Sequence, residues 1–426
     1  MACSPSSKSS LGPESAAVFV VDGIHPALVG VVAGSLAIYL LAILWFLTGS
    51  LRPIQSGRLS KRAARSPGVS VIVAARDEAH TIRATIQQLL TQTWDASGYE
   101  VILVDDGSTD GTLEQMQQLA AERADQEPIL RVFSTQQVLG SSGHKKAALT
   151  LAIGEASGEV ILCTDADCRI PPGWVEMMAG HFDDGVDAVV GFSHIVDPGM
   201  LAGFETLDFL LLMTAARAAC GHAHPVAASG QSFGFRRQAF DEVGGYRSVW
   251  HRLSGDDVLL LQLLRRAGKR IVFADDPQGA IQHPAANSVS ALLRQRIRWA
   301  SNGPIQLQLD PRLFIHLSAT LICSVSILIC LALVLMGVIE PMALLIIWGG
   351  KAAGDLLLSL RGMQRFGRWD LLVHWPLWAI IHPFYLAVAG GLGCLGMFQW
   401  KGTKVRLGRA EPRPPSPPTG SSSATA

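Results

Sequence analysis

The sequence predicts an α/β domain with a mostly parallel sheet, flanked by membrane helices, and three observations support this fold class. Hydrophobic residues make up 49% of the 426 residues, and a mean hydropathy of +0.30 is too high for an ordinary soluble protein. β-Branched runs alternate with segments of helical periodicity between residues 67 and 311, as in a parallel sheet. Uncharged runs long enough to cross a bilayer lie on both sides of this region.

The first apolar run, Ala27 to Thr48, is close to the roughly 20 residues that a bilayer core requires. Only Lys8 precedes it, whereas several basic residues follow: Arg52, Arg58, Lys61, Arg62 and Arg65. The positive-inside rule predicts an external tail (1–24), a membrane anchor (25–48), a basic linker (49–66) and a cytoplasmic domain (67–311). A cleaved signal peptide is the competing interpretation, but the length of the run and its flanking charge favour a retained anchor.

Residues 312–399 form a second apolar region, for which we predict two to three membrane spans. Leu313–Ile339 is long enough to span. Met342–Leu360 contains Lys351 and Asp355, which are four residues apart and can therefore pair on one helix face.

The last apolar stretch, Leu371–Phe398, is interrupted by prolines and glycines. Three full spans after the domain would place the basic residues that follow on the outside, against the charge rule. Either this stretch is a broken or re-entrant pair of half-helices, or an earlier segment does not cross. We favour a cytoplasmic tail over residues 400–426, basic at first and then Pro/Ser-rich and disordered.

Charge and cysteine usage limit the possible partners. Lys+Arg and Asp+Glu are equal at 35 each, so no overall field favours nucleic acid as a partner. The seven cysteines show no metal-ligand spacing, and those in the predicted cytoplasmic domain are expected to be free thiols. The compact length and short loops favour a bacterial inner membrane as the location.

Three runs in the domain predict buried strands: Val69–Ala75, Val101–Val104 and Val160–Thr164. Thr81–Gln92 and Thr112–Arg123 have helical character, and ligands of such a sheet bind beyond the carboxyl ends of its strands. No Gly-x-Gly-x-x-Gly motif follows the first strand, which argues against a dinucleotide-dependent dehydrogenase. A nucleotide is instead expected against the residues that stand there, Ala75, Arg76, Asp77 and Glu78.

Acidic residues follow the second and third predicted strands. Asp105 and Asp106 can accept hydrogen bonds from a base or a ribose, although a turn with a helix cap explains them equally well. Asp165, Ala166 and Asp167 place two carboxylates on the same side of an extended segment. This arrangement suits Mg²⁺ or Mn²⁺ bound together with a diphosphate, and a surface turn is the alternative.

Further charged residues lie at predicted helices. An anionic ligand would explain Lys145 at a helix N-terminus, and so would a solvated basic face. Asp256 and Asp257 are adjacent, so repulsion can raise one pKa and produce a general base, unless they only cap a helix. A third helix carries Gln295, Arg298 and Trp299 on one face, which suits a diphosphate and a sugar ring or, alternatively, a membrane interface.

In this order, the motifs resemble the family-2 glycosyltransferases, the inverting GT-A group that includes ceramide glucosyltransferase and the cellulose and hyaluronan synthases. The resemblance covers about Val69 to Asn302 and the flanking membrane segments. It is carried by Val69-Ser70-Val71-Ile72-Val73, Asp105-Asp106-Gly107-Ser108, Lys145 with Ala148-Leu149, Asp165-Ala166-Asp167, Gly230 with Phe235-Arg236-Arg237, Gly244-Gly245-Tyr246, Asp256-Asp257 and Gln295-x-x-Arg298-Trp299.

The resemblance implies a role for each motif on the donor side. Asp106 would bind the uracil or ribose of a nucleotide-sugar donor, and Lys145 would lie near its phosphates. Asp167 would hold the Mg²⁺ or Mn²⁺ ion, with Asp165 supporting the sugar or ribose.

It also implies roles on the acceptor side. Asp257 would deprotonate the acceptor hydroxyl, with Asp256 in the place of the family's glutamate. Arg298 and Trp299, with Gln295, would clamp the diphosphate and close the acceptor side. The reaction would be one in-line displacement that inverts the anomeric carbon.

The chain departs from the family pattern at four places without losing a catalytic group. Ala74 replaces the usual proline, Asp77 replaces the asparagine of the usual Asn-Glu, His144 replaces a glycine, and Asp256 shortens the reach of a glutamate. We therefore expect an active enzyme.

The acceptor is the least determined part of this interpretation. A lipid-like alcohol is our first hypothesis, because the apolar stretch Met200–Ala219 can lie along the membrane and shape an entrance, although a buried domain helix is equally compatible. A processive polysaccharide synthase is the second, and it would need a channel built from more helices. A catalytically silent membrane scaffold is a distant third.

Overall fold

The computed structural model describes residues 26–54, 68–94, 98–123, 126–141, 144–182, 185–396, 398–400 and 403–405. The predicted external tail and most of both the basic linker and the C-terminal tail lie outside these described residues.

A seven-stranded sheet forms the centre of the domain, in the order β3-β2-β1-β4-β7-β5-β8. Strands β3, β2, β1 and β4 are mutually parallel, β7 is antiparallel to both of its neighbours, and β5 pairs with β8 in parallel. Two smaller pairs, β6 with β9 and β10 with β11, lie outside this sheet. The strands are β1 (Val69–Ala75), β2 (Tyr99–Asp105), β3 (Ile129–Ser134), β4 (Val160–Asp165), β5 (Ala188–Gly191), β6 (Ser193–Ile195), β7 (Phe233–Arg236), β8 (Ile271–Ala274), β9 (Ile281–His283), β10 (Phe398–Trp400) and β11 (Thr403–Val405).

Helices cover both faces of the sheet and continue on either side of the domain. They are α1 (Pro26–Leu51), α2 (Ile82–Leu89), α3 (Thr112–Glu122), α4 (Thr135–Leu139), α5 (Lys145–Glu155), α6 (Trp174–Ala179), α7 (Met200–Gly221), α8 (Arg237–Glu242), α9 (Asp256–Arg266), α10 (Val289–Ala300), α11 (Gln306–Leu309), α12 (Pro311–Leu335), α13 (Pro341–Phe366) and α14 (Trp375–Cys394). Short 3-10 turns cover Arg247–Val249, Pro277–Gly279 and Trp369–His374.

The central strands are buried on both faces, as their continuous apolar runs predict. Ile72 of β1 packs into one hydrophobic core, and its neighbours Val71 and Val73 pack into the other. All three are fully buried. Since a fully buried aliphatic side chain contributes roughly 1.5–3 kcal/mol, this alternation holds the strand firmly between two helical layers.

Register brings the acidic motifs to one edge of the sheet. Ala75 lies beside Asp105 on β2, and Ala74 lies beside Asp165 on β4. Because these strands are parallel, their carboxyl ends meet at the same edge, where the sequence predicts the ligand.

Among the described residues, four helices are long and apolar enough to cross a membrane: Leu28–Leu51, Pro311–Leu335, Pro341–Phe366 and Trp369–Cys394, the last with its preceding 3-10 turn. Lys351 and Asp355 form the predicted pair at 2.8 Å, and the hydroxyl of Tyr39 on α1 donates to Asp355 at 2.5 Å. Pro383 lies inside α14, which continues through it as one helix.

The domain packs directly against these helices. α7 contacts α1 and α13, and α10 contacts α14. α7 is a buried helix of the domain and at the same time its contact with the apolar bundle.

Candidate active site

The turn after β2 uses its two aspartates differently. Asp105 accepts hydrogen bonds from the backbone amides of Gly107 and Ser108, at 3.0 and 3.2 Å, so it shapes the turn. Asp106 is buried, and one of its carboxylate oxygens accepts a hydrogen bond from the Thr135 hydroxyl at 3.1 Å. Asp106 is therefore fixed at the edge of the sheet by a residue from the following strand-to-helix junction.

The loops after β1 and β2 are tied together by side chains. Asp77 accepts from the amide of Thr109 at 2.8 Å and has a φ of 52°, a conformation that few non-glycine residues adopt. Asp110 accepts from the amides of Thr112 and Ala79, at 3.1 and 2.9 Å. Asp110 thus shapes the turn that leads into α3, whose N-cap position is Gly111, and the two loops form one rigid wall.

Two carboxylates and a third acidic residue come together after β4. Burial raises the pKa of Asp167 to about 6, with Asp165 and Glu78 adding to the effect. Such a concentration of negative charge can be relieved by a bound cation. The described residues contain no cluster of three His, Cys, Asp or Glu side chains placed to hold a metal. A divalent ion at Asp165 and Asp167 would therefore need further ligands from outside these residues, such as a diphosphate and water.

Lys145 connects this carboxylate group to the start of α9. Its ammonium lies 2.8 Å from Asp165 and 3.3 Å from Asp256. Burial alone would lower the pKa of Lys145, but these two carboxylates raise it well above its usual value. The neighbouring Lys146 is buried and donates to the backbone carbonyl of Ser254 at 3.3 Å. Both lysines therefore support the segment that presents the acidic pair.

The two aspartates at the start of α9 have opposite pKa shifts. Burial opposes ionisation of Asp256, but Lys145 and Lys146 outweigh it and lower the pKa of this carboxyl. Burial, together with the ionised Asp256, raises the pKa of Asp257 to about 6. Asp257 also accepts a hydrogen bond from the amide of Gly230 at 2.7 Å. Asp257 is thus the carboxylate of the pair that can take up a proton near neutral pH.

Gly255 gives the turn before α9 a shape that other residues could not readily take. Its φ is 79°, and a Cβ atom there would lie 2.7 Å from the Nδ2 atom of Asn302. Asn302 in turn donates to the hydroxyl of Ser254 at 2.9 Å. The residues just after α10 therefore hold the beginning of α9 in place.

α10 presents Arg298 towards the acidic groups. Burial lowers the pKa of Arg298, while Asp256, Asp257 and Asp165 act in the opposite direction. The guanidinium can therefore neutralise an anion placed between the strand ends and α9.

The other two motif residues of α10 are engaged with the residue between them. Arg296 stacks over the Trp299 ring at 4.1 Å and donates to the side chain of Gln295 at 2.6 Å. Arg296 also pairs with Asp208 of α7 at 2.8 Å. Gln295 and Trp299 are thus oriented through Arg296, which the sequence motif leaves as an unspecified position.

The remaining predicted residues contribute through their backbone or their neighbours. Ala75 and Ala166 are buried, and their carbonyl oxygens accept from the amide of Asp106 and the hydroxyl of Thr85, both at 2.8 Å. Arg76 forms a loose ion pair with Asp77 at 3.9 Å.

Three residues have roles at the site that the sequence analysis did not assign, although Gly230 was quoted there as a motif residue. Thr135 and Gly230 bind the predicted carboxylates through a hydroxyl and a backbone amide, and no local pattern in the sequence marks them for this role. His283 ends β9, whose residue Gln282 pairs with Arg169 just beyond Asp167. Burial lowers the pKa of His283 to about 4, so the ring is neutral and lies close enough to Asp165 to interact with it.

Comparisons with known proteins identify the family of this chain. A sequence model described as Glycosyl transferase family 2 matches residues 70–244, and another, Glycosyl transferase family group 2, matches residues 160–389, more than half of the chain. Glycosyltransferase AglE of Haloferax volcanii is 30% identical over 248 residues, which cover 58% of this chain and 76% of that relative.

A beta-monoglucosyldiacylglycerol synthase of Synechocystis is 27% identical over 286 residues, which cover 61% of this chain and 56% of the synthase. The chain thus spans little more than half the length of that relative. A solved mannosyltransferase from Pyrobaculum calidifontis, in complex with GDP-Man and Mn²⁺, matches 88% of this chain and 99% of its own at 17% identity, with a TM-score of 0.55. This likeness confirms the predicted GT-A fold.

Proposed function

The chain belongs to glycosyl transferase family 2 and is a glycosyltransferase, and from this premise we propose that it transfers a sugar from a nucleoside-diphosphate sugar to a hydroxyl of a lipid-like acceptor. The observation that carries the proposal is the link made by Lys145. One ammonium contacts both Asp165 at the strand edge and Asp256 beside Asp257, so a donor site and a proton acceptor lie within reach of each other.

The donor would lie over the carboxyl ends of β1, β2 and β4. Asp106 is the proposed contact for the base or ribose, because it is held at the sheet edge by Thr135. The wall formed by Ala75, Arg76, Asp77 and Glu78 would close one side of the nucleotide. A UDP-sugar is the expected donor, and GDP-Man, present in the Pyrobaculum structure, is the comparison to test.

Asp165 and Asp167 would hold a divalent ion, Mg²⁺ or Mn²⁺, that neutralises charge on the donor diphosphate. The Pyrobaculum neighbour was solved with Mn²⁺. Lys145 would place a second positive charge beside the same phosphates.

Asp257 is the proposed general base. Its carboxylate would take the proton of the acceptor hydroxyl while the oxygen attacks the anomeric carbon from the face opposite the leaving diphosphate. The amide of Gly230 fixes one carboxylate oxygen, so the group is oriented before the acceptor arrives. Arg298 would stabilise the charge that develops on the departing diphosphate.

A lipid-like acceptor is supported by the position of the site. α7 and α10 carry site residues and pack directly against helices that are apolar enough to cross a membrane. The Synechocystis relative is named as a beta-monoglucosyldiacylglycerol synthase. We propose that the domain lies on the cytoplasmic face and that the acceptor reaches it from the bilayer.

The test is an assay of the full chain in detergent with Mn²⁺, UDP-glucose, UDP-galactose or GDP-mannose, and a total lipid extract, read by mass spectrometry. A lipid that gains one hexose is the expected product and would identify both substrates. A long polymer would favour a polysaccharide synthase instead, and no product together with no nucleotide binding would refute the enzyme function.

A further inference from the structure

Arg296, the unspecified position of the motif on α10, is a buried charge with partners on several sides. It is 6% exposed, and its Nε atom donates to Asp208 of α7 at 2.8 Å. The guanidinium also donates to Gln295 at 2.6 Å, and its central carbon lies 4.1 Å from the ring centroid of Trp299. Because a guanidinium is planar and rigid, a shift of Asp208 would turn the group that both motif side chains contact.

The second carboxylate oxygen of Asp208 faces the apolar helices. It lies 3.7 Å from Nε2 of His382 on α14, and Nδ1 of the same ring lies 3.3 Å from the ammonium of Lys351 on α13. An ammonium group can only donate, so Nδ1 of His382 accepts and Nε2 carries the proton that faces Asp208. The imidazole also stacks on Trp378, one turn earlier on α14, with 4.0 Å between the ring centroids. This stacking fixes the plane of the ring.

The path of polar side chains continues to the first helix of the described chain. Lys351 pairs with Asp355 at 2.8 Å, and the hydroxyl of Tyr39 on α1 donates to that carboxylate. Buried polar side chains thus lead from α1, α13 and α14 to α7 and α10 of the domain. A buried ion that loses its partner costs several kcal/mol. The path therefore favours one placement of the domain on the apolar helices.

A second group of ion pairs also attaches the domain to these helices. Asp275, which follows β8, lies 3.3 Å from Arg217 on α7 and 2.5 Å from Arg365 on α13. The other hydrogen bonds of Arg217 go to backbone carbonyls at the end of α1. Among the described contacts of the two arginines, none reaches the motif on α10. Attachment of the domain and orientation of the motif therefore depend on different side chains.

We propose that Asp208 and His382 are positioning residues for the transfer reaction. They act through Arg296, whose guanidinium orients the side chains of Gln295 and Trp299. The acceptor side of the proposed site is therefore assembled only when the domain is correctly placed on the apolar helices. This inference rests on the proposed function for what Gln295 and Trp299 do, whereas their orientation stands on the contacts of Arg296.

Asp208→Asn and His382→Phe test the path in the full chain in detergent. Asn keeps the shape of Asp208 without its charge, and Phe keeps a ring that can stack on Trp378 without either nitrogen. We expect each change to lower the rate of hexose transfer from UDP-glucose to a total lipid extract by about 10–100-fold, because small displacements at a reacting site have effects of this size. Mn²⁺-dependent UDP binding should stay within about twofold of the parent, since the donor-side carboxylates lie outside the path.

Two further measurements separate positioning from a general loss of structure. The double variant should be no slower than the slower single variant, because both residues act through the same guanidinium. Amide hydrogen exchange of α10, followed by mass spectrometry, should be about tenfold faster in each single variant than in the parent. This second measurement does not depend on activity.

Asp275→Asn is the matched control, because it removes a carboxylate that joins α7 to α13 and leads to no motif residue. It should lower the melting temperature and leave both the transfer rate and the exchange of α10 within about twofold of the parent. If Asp208→Asn does not fold, His382→Phe and this control make the same comparison.

Parental exchange of α10 in the single variants, or an unchanged transfer rate, would overturn the positioning role. An equal loss of rate in Asp275→Asn would also overturn it, since attachment of the domain would then explain the effect. Failure of the proposed function gives a different result. The parent would transfer sugar to no lipid, while the exchange of α10 would still distinguish Asp208→Asn and His382→Phe from the control.

Discussion

The proposed donor side and the proposed acceptor side of the site are held by contacts of different range. On the donor side, Asp105 is bonded by amides two and three residues away, and Asp77 and Asp110 tie together the loops of neighbouring strands. On the acceptor side, Asp208 and Arg296 are 88 residues apart. The donor side is therefore shaped by turn chemistry, whereas the acceptor side depends on how the domain packs against the apolar helices.

The largest effect is expected when the proposed base is replaced. Asp257→Asn keeps the shape of the side chain but cannot take a proton, so transfer should fall by about 10²–10⁴-fold, while UDP binding stays within twofold of the parent. Initial rates and UDP titrations measure the two effects separately.

Asp241→Asn is the matched control for this change, because Asp241 is an exposed residue of α8. It should retain parental activity. Full activity in Asp257→Asn would remove Asp257 from the role of base.

The donor side should respond to Asp167→Ala through binding. Loss of a proposed metal ligand should weaken Mn²⁺-dependent UDP binding by about a hundredfold, since even outer-shell changes at metal sites cost 10–100-fold. Calorimetry with and without Mn²⁺ measures this. Equal Mn²⁺-dependent affinity in the variant and the parent would refute the metal assignment.

A smaller effect is expected in the pH profile. Because the pKa of Asp257 is raised to about 6 and a base must be deprotonated, kcat at saturating donor and Mn²⁺ should fall as the pH drops below about 6. Asp256→Asn removes one of the charges that raise this pKa, so the acid limb should move down by about one pH unit. If the acid limb of the pH profile does not move in Asp256→Asn, a group other than Asp257 produces it.

The smallest effect concerns the turn before α9. Gly255→Ala combines positive-φ strain with a contact to Asn302 at 2.7 Å, whereas Gly268→Ala carries only the strain, since nothing lies within 4 Å of its added Cβ. We expect Gly255→Ala to destabilise the protein by about 1 kcal/mol more than Gly268→Ala. Thermal unfolding of the two variants under the same conditions measures the difference. Equal melting temperatures would show that the Asn302 side chain moves aside without a loss of stability.

Local sequence patterns predicted the fold more fully than the site. β1 was predicted with its observed bounds. The three strands that carry motifs were recognised because a strand buried on both faces appears in the sequence as a continuous run of apolar, often β-branched residues. The turn after β2 was likewise visible as the alternative interpretation of Asp105 and Asp106, and Asp105 does shape it by accepting from amides nearby.

Long-range contacts could not be predicted in this way. Nothing near Lys145 in the sequence indicates that it will contact Asp256, and Gly230 acts through a backbone amide that every residue but proline possesses. Arg296 was passed over because the motif treats its position as variable, although it orients both Gln295 and Trp299.

The position of α1 has a consequence for the architecture of the whole chain. α1 precedes the domain, yet it packs against α12 and α13, which follow it, and Tyr39 bonds to Asp355 across that interface. In topological terms, the catalytic domain is an insertion into a single helical bundle and is tethered at both of its ends. A fragment of residues 67–311 would therefore lose both tethers and expose the side of α7 that meets α1 and α13.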